Sequence, residues 1–164
     1  PFYGALNTFV AGLEFHSMAC AVDKNALVST HSIHVDPYAL ALEPLLERFY
    51  FDLRQANEKG KVILESRSRS EDAKVYAAFQ RVCFEGTRFE RHKRFREWID
   101  PEPVFRRKTD NVSGLEISDL MLNSVGRYVM GREAKVLTFQ TLHGKLRQCA
   151  KTGQFENYGL IRLP

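Results

Sequence analysis

Two carboxylates, Glu65 and Asp119, stand where this sequence could do chemistry. Glu65 closes the run Lys61-Val62-Ile63-Leu64-Glu65, which follows a turn at Asn57-Glu58-Lys59-Gly60. Three large apolar residues between turn signals predict a fully buried strand, as in a sheet covered on both faces. Ligands of open α/β sheets gather outside the carboxyl ends of the strands, the end that Glu65 occupies. Asp119 falls nearly in line with Leu115, Leu122 and Gly126 at 100° per residue, on the flank of an apolar helix face. A carboxylate taken out of water there costs several kcal/mol unless it is paired, hydrogen-bonded or metal-bound. Oxygen ligands of this kind suit Mg²⁺ or Mn²⁺. Two such ions about 4 Å apart activate a water and stabilise the leaving oxygen of a phosphodiester. The structural alternatives are an exposed Glu65 paired with Arg67, and an Asp119 paired with Arg127 at the rim of the core.

Basic groups lie close to both acids. Glu65-Ser66-Arg67 with Arg69, Glu71 and Asp72 concentrates three carboxylates and two arginines at one strand-to-helix junction. Residues 88–108 hold eight basic and four acidic side chains interleaved with Phe89, Phe95, Trp98 and Phe105. Arg91, Lys93 and Arg94 of that segment, with Arg67 and Arg127, are the candidate phosphate contacts, and the aromatics could stack on unpaired bases. The alternative is a solvated loop whose aromatics anchor it to the core. Asp23 begins a loop and is not counted as a third acid. His31 and His34 lack zinc-ligand spacing. The P-loop, GxGxxG, HExxH and GxSxG patterns are absent from the sequence.

Around these residues the pattern predicts a helix over 2–13, a strand over 15–22 and a polar connection from Asp23 to Val35. Asp36-Pro37 reads as N-cap and first helical residue of an amphipathic helix reaching about Gln55, with Pro44 expected to kink or break it. Ser68 and Glu71 form a capping box for a helix from Arg69 to Glu85. The segment 88–108 has no clear period, and Pro101 and Pro103 exclude one continuous helix. Ser113-x-x-Glu116 opens a helix over 114–130, stopped by Gly131. A helix over 134–149 and a last strand from Tyr158 complete a single α/β domain over 1–164.

The 164 residues are 44% hydrophobic and 27% charged, which excludes a disordered or collagen-like chain. No apolar run approaches the roughly 18–20 residues of a membrane span. Residues 1–60 carry four basic and seven acidic side chains, and residues 61–164 carry twenty and thirteen. The positive part of the chain permits a polyanionic partner such as nucleic acid. Cys20, Cys83 and Cys149 are sparse and unpatterned, so they read as small buried hydrophobes with reduced thiols in a cytoplasmic protein.

Several blocks resemble one family, the bacterial domain of unknown function numbered 3800. They are Asp36-Pro-Tyr-x-Leu-Ala-Leu-x-x-Leu-Leu-Glu-Arg-Phe49, Val62-Ile-Leu-Glu-Ser-Arg67 with Glu71-Asp72, Gly114-Leu-Glu-Ile-Ser-Asp-Leu120, Gly126-Arg-Tyr-Val129 and Tyr158-Gly-Leu160. The resemblance implies an RNase H-like α/β fold, a mixed sheet flanked by helices, and a metal-dependent nuclease or transposase-like activity. It places the family's acidic positions on Glu65 and Asp119. Members open with a strand bearing Asp-Glu-Ser, which these residues lack, so the resemblance implies the C-terminal portion of such a domain, inactive by itself. Pro44 and Glu116 also depart from the pattern. Strand edges left open by absent strands would favour a homodimer. The other class of function considered is a non-catalytic nucleic-acid-binding or protein-interaction module.

Overall fold

Local chemistry explains where most of the helices start and stop. In a computed structural model describing residues 2–30, 36–87 and 92–164, the chain forms helices α1 (Phe2–Gly12), α2 (Lys24–Thr30), α3 (Pro37–Ala56), α4 (Arg69–Glu85), α5 (His92–Trp98), α6 (Ser113–Val129) and α7 (Phe139–Lys145). The strands are β1 (Ala19–Val22), β2 (Ile63–Glu65), β3 (Val104–Arg106) and β4 (Leu160–Leu163). The protein is therefore mixed α/β, helix-rich with small sheets. Among the described residues, no helix is long and apolar enough to cross a membrane. Two compact units divide the chain, one from Val22–Leu115 and one from Pro1–Ala21 with Glu116–Leu163.

In the unit over Val22–Leu115, Asp36 caps α3 by accepting the Tyr38 N–H at 2.8 Å, with Pro37 in the first turn. The helix runs unbroken through Pro44 and buries Leu46, Glu47, Tyr50 and Leu53. Pro44 lacks the N–H that would reach the carbonyl four residues back, a local loss that the tertiary packing of this face tolerates. Glu47 is only 4% exposed, and both of its oxygens are occupied, by Arg48 Nη1 at 2.9 Å and the Thr87 hydroxyl at 2.6 Å. Asn57 ends the helix in the left-handed region at φ 57°. The α4 face of Ala78, Phe79, Val82 and Cys83 is buried, and Leu46, Tyr50, Leu53, Phe79, Val82, Cys83, Phe95 and Ile99 form the core.

Three expectations change in this unit. The connection after Asp23 contains α2, because the Asp23 carboxylate accepts the N–H groups of Asn25 and Ala26 and starts a helix. The span 31–35, with His31 and His34, lies outside the described residues. The unpatterned segment after residue 91 yields a short helix and a strand, separated by the two prolines. β3 pairs parallel with β2, with Ile63 opposite Val104 and Glu65 opposite Arg106. β2 is not fully buried: Ile63 is 45% exposed, because its sheet has two strands and no second covering layer over that side chain.

In the other unit, β1 pairs with β4, and Val10, Ala19, Met121, Val125, Leu137, Leu142 and Leu160 form the core. Asn7 of α1 ties in the segment before α7. Its Nδ2 donates to the Val136 carbonyl at 2.9 Å, and its Oδ1 accepts the N–H of Thr138 and the hydroxyl of Thr141. Gly131, at φ +66°, stops α6 as expected. The helix expected over 134–149 is confined to α7, because Thr138 caps it by accepting the Thr141 N–H and thereby fixes its start.

Candidate functional site

The β2-to-α4 junction is built by its own side chains. Ser66 continues the ladder by donating its N–H to the Arg106 carbonyl at 2.7 Å. Asp72, one turn into α4, reaches back: one oxygen accepts the Arg67 N–H at 2.9 Å and the other the Ser66 hydroxyl at 2.6 Å. These two bonds, that from the Arg67 backbone first, hold the Asp72 carboxyl below its usual range. Ser68 is the N-cap, accepting the Glu71 N–H at 3.3 Å and donating its hydroxyl to Glu71 Oε2 at 2.7 Å. Arg67 turns to Tyr38 at the start of α3, donating to its hydroxyl at 2.8 Å with the guanidinium carbon 5.0 Å from the ring centre. Glu71 and Glu65 add weaker attraction to the Arg67 charge.

Of the three carboxylates there, Asp72 and Glu71 accept hydrogen bonds that shape the turn. Glu65 is half-buried at the strand end and takes no part in shaping the turn through the bonds described above. Hard divalent ions need several oxygen donors. Among the described residues no group of three or more His, Cys, Asp or Glu side chains gathers to hold a metal.

Asp119 belongs to the other unit, on α6. It is exposed, and Leu122 of the same stripe is 55% exposed. The buried stripe of α6 is instead Met121, Ser124 and Val125, so the desolvation cost expected at Asp119 does not arise. The leucines near Asp119 suggested an inward flank, but the helix packs about half a turn away. Arg127, half-buried, donates Nε to the Glu133 carbonyl at 2.6 Å and so closes the chain after α6. Glu65 and Arg67 share one junction, whereas Asp119 and Arg127 share one helix. Arg94 is exposed on α5. Lys93 lies on the same helix, its side chain outside the described set, and Arg91 lies outside the described residues.

Two of the aromatics of 88–108, Phe95 and Trp98, follow the anchoring alternative. Phe95 is 0% exposed with its ring 4.8 Å from that of Tyr50, and Trp98 packs against the same core. Phe95 therefore offers no face for stacking on bases, and Trp98 is half-buried.

Two features escaped the sequence reading. The first is Cys149. Its N–H donates to the Gln154 carbonyl and its carbonyl accepts the Gly153 N–H, closing a tight loop. The hydroxyls of Thr152 and Tyr158, then the backbone N–H groups of Lys151 and Thr152, bring its thiol down from 9.0 to about 6. Burial instead pushes half-buried Cys20 and buried Cys83 up to about 11. The run Cys149-Ala-Lys-Thr-Gly153, with small and turn-forming residues after the thiol, was the available signal. The second is the pair of lysines flanking Gly60, described below.

Comparison of the chain with protein-family models, curated proteins and solved structures gives no match.

Proposed function

We propose that the protein acts on nucleic-acid phosphodiesters with Mg²⁺ or Mn²⁺, on an RNase H-like α/β framework of the family its sequence resembles. One observation carries this reading: Glu65 stands half-buried at the carboxyl end of β2, directly before a capped helix and opposite Arg106 on a parallel neighbour. The parallel pair joined through intervening helices is the element such a fold would require. Glu65 and Asp119 are the proposed oxygen ligands, each on its own unit. Bound divalent metal would supply the activation of water and the stabilisation of the leaving oxygen. Arg67, Arg94 and Arg127, with Arg91 and Lys93, are the proposed contacts to backbone phosphates.

A second reading, a nucleic-acid-binding module without chemistry, is favoured by the capping work of Glu71 and Asp72. These two carboxylates serve the fold, whereas cationic side chains are exposed nearby.

The test is Mn²⁺-dependent cleavage of a DNA and RNA panel by the full chain and by its Glu65→Gln and Asp119→Asn variants. Cleavage lost in either variant, with the thermal melt unchanged, supports the nuclease reading. Salt-sensitive binding that needs no metal and survives both substitutions supports the binding module. Cleavage unchanged by both substitutions removes Glu65 and Asp119 from the reaction.

A further inference from the structure

Lys59 and Lys61 sit on either side of a backbone that has almost no freedom. Gly60 donates its N–H to the Trp98 carbonyl at 2.8 Å, and its own carbonyl accepts the Asp100 N–H at 2.9 Å. Its remaining side presses on α3: a Cβ there would stand 2.7 Å from Leu53 Cδ1, with Phe49 Cζ closer still. A side chain at residue 60 would force the Phe49 and Leu53 side chains to shift, so glycine suits this close approach. Opposite this clamp, Gln80 of α4 donates Nε2 to the Pro101 carbonyl at 2.6 Å and fixes the facing loop.

Between these elements lies a cavity of about 360 Å³. Lys59, Lys61 and Arg96 bring three cations to its wall against the single carboxylate of Asp100, and Ile99 and Pro101 give it an apolar side. Lys61 Nζ lies 3.6 Å from Asp100. The Arg96 guanidinium stacks on Phe84 at 4.4 Å from the ring centre. The guanidinium carries five N–H donors in one plane.

We propose that this cavity binds a phosphate monoester or diphosphate group, with Lys59, Lys61 and Arg96 on its anionic oxygens. Asp100 offsets one of the three cations, which leaves a net positive wall for an anion, and the planar donors of Arg96 match phosphate oxygens in pairs. The volume lies within the range of small-ligand sites and exceeds a bare phosphate, leaving room for the group that bears it. Asp100 can accept a hydroxyl of that group while it orients Lys61. These residues are separate from Glu65 and Asp119, so the site stands or falls independently of the nuclease reading.

The experiment titrates the full chain with inorganic pyrophosphate, a nucleoside diphosphate, and one oligonucleotide with and without a 5′-phosphate, at matched ionic strength. Emission of Trp98, the single tryptophan of the chain, reports occupancy, and calorimetry gives the affinity. Saturable binding is expected, weakened roughly tenfold or more by Lys59→Ala and by Arg96→Ala. Lys59 is exposed, so its variant keeps the fold and isolates the loss of charge. Preference for the nucleoside diphosphate assigns a small phosphoester, and preference for the 5′-phosphorylated over the 5′-hydroxyl strand assigns a strand end. No saturable binding of any probe overturns the proposal. So does binding that both substitutions leave unchanged.

Discussion

Cys149 should react as a thiolate at neutral pH, and the shape of its pH profile is the sharpest test of the loop around it. With the thiol at about 6 instead of 9.0, roughly 90% is ionised at pH 7, against about 1% for an unperturbed group. The same stabilisation makes the sulfur a weaker nucleophile. A Brønsted slope near 0.4–0.5 over three pH units lowers its intrinsic rate roughly 15- to 30-fold. The two effects nearly cancel, leaving a net gain at pH 7 of only about 3- to 6-fold. The informative observable is therefore the midpoint. Alkylation by iodoacetamide, followed by mass spectrometry at each cysteine from pH 5 to 9, should level off above about pH 7 for Cys149. Cys20 and Cys83, at about 11, should still be rising at the top of that range. Thr152 Oγ1 accepts the Gln154 N–H at 3.3 Å, which orients its own proton towards the sulfur. Thr152→Val and Tyr158→Phe each remove one of four donors, and each should raise the midpoint by about one pH unit. A wild-type midpoint at 8.5 or above, or one that neither substitution moves, would refute the reasoning.

Other perturbations test the frame that holds the junction. Arg48→Ala leaves buried Glu47 with the Thr87 hydroxyl among the described residues and should cost about 3 kcal/mol or more in urea unfolding; a loss under 1 kcal/mol would show that water reaches the carboxylate. Ser68→Ala removes the α4 cap and should cost about 1 kcal/mol, with helix content lost at the α4 start in hydrogen exchange. The Asp72 carboxyl titrates below its unfolded value of 3.8. Its contribution is therefore present above that value and lost as pH falls through the folded one. Asp72→Asn should flatten the acid limb of the stability profile and leave its slope between pH 6 and 8 unchanged. Phe95→Ala opens the core and should cost about 3–5 kcal/mol by the same unfolding assay.

Signals that are local in sequence were legible. Asp36-Pro37, Ser68 with Glu71, and Gly131 mark helix ends because each acts through a backbone group a few residues away. The apolar set of α4 was readable for the same reason, since its spacing selects one face. What failed depended on partners distant in the chain. β3 could not be seen in Val104-Phe-Arg106, because three residues show no period and their pairing with β2 is non-local. The burial of Ile63 was overestimated because a hydrophobic run does not say how many layers cover it. Asp119 lies in line with Leu122, which packing leaves exposed, while the stripe of Met121 and Val125 about half a turn away carries the burial. At the junction, composition brought the acids together, but only geometry separated the two that hold the turn from Glu65.

The parallel register of β2 and β3 also sets an order of assembly. Ile63 meets Val104 across roughly forty intervening residues, and closing a loop of that length costs about 3 kcal/mol of chain entropy from its length alone. The three-residue strands make too few contacts to offset this by themselves, so the α3, α4 and α5 core must bring them together first. The ladder is then the last piece of this unit to close in refolding and the first to open in native-state exchange. Glu65 thus acquires its neighbour Arg106 only after the hydrophobic core is complete, and the candidate site exists only in chains that have already folded.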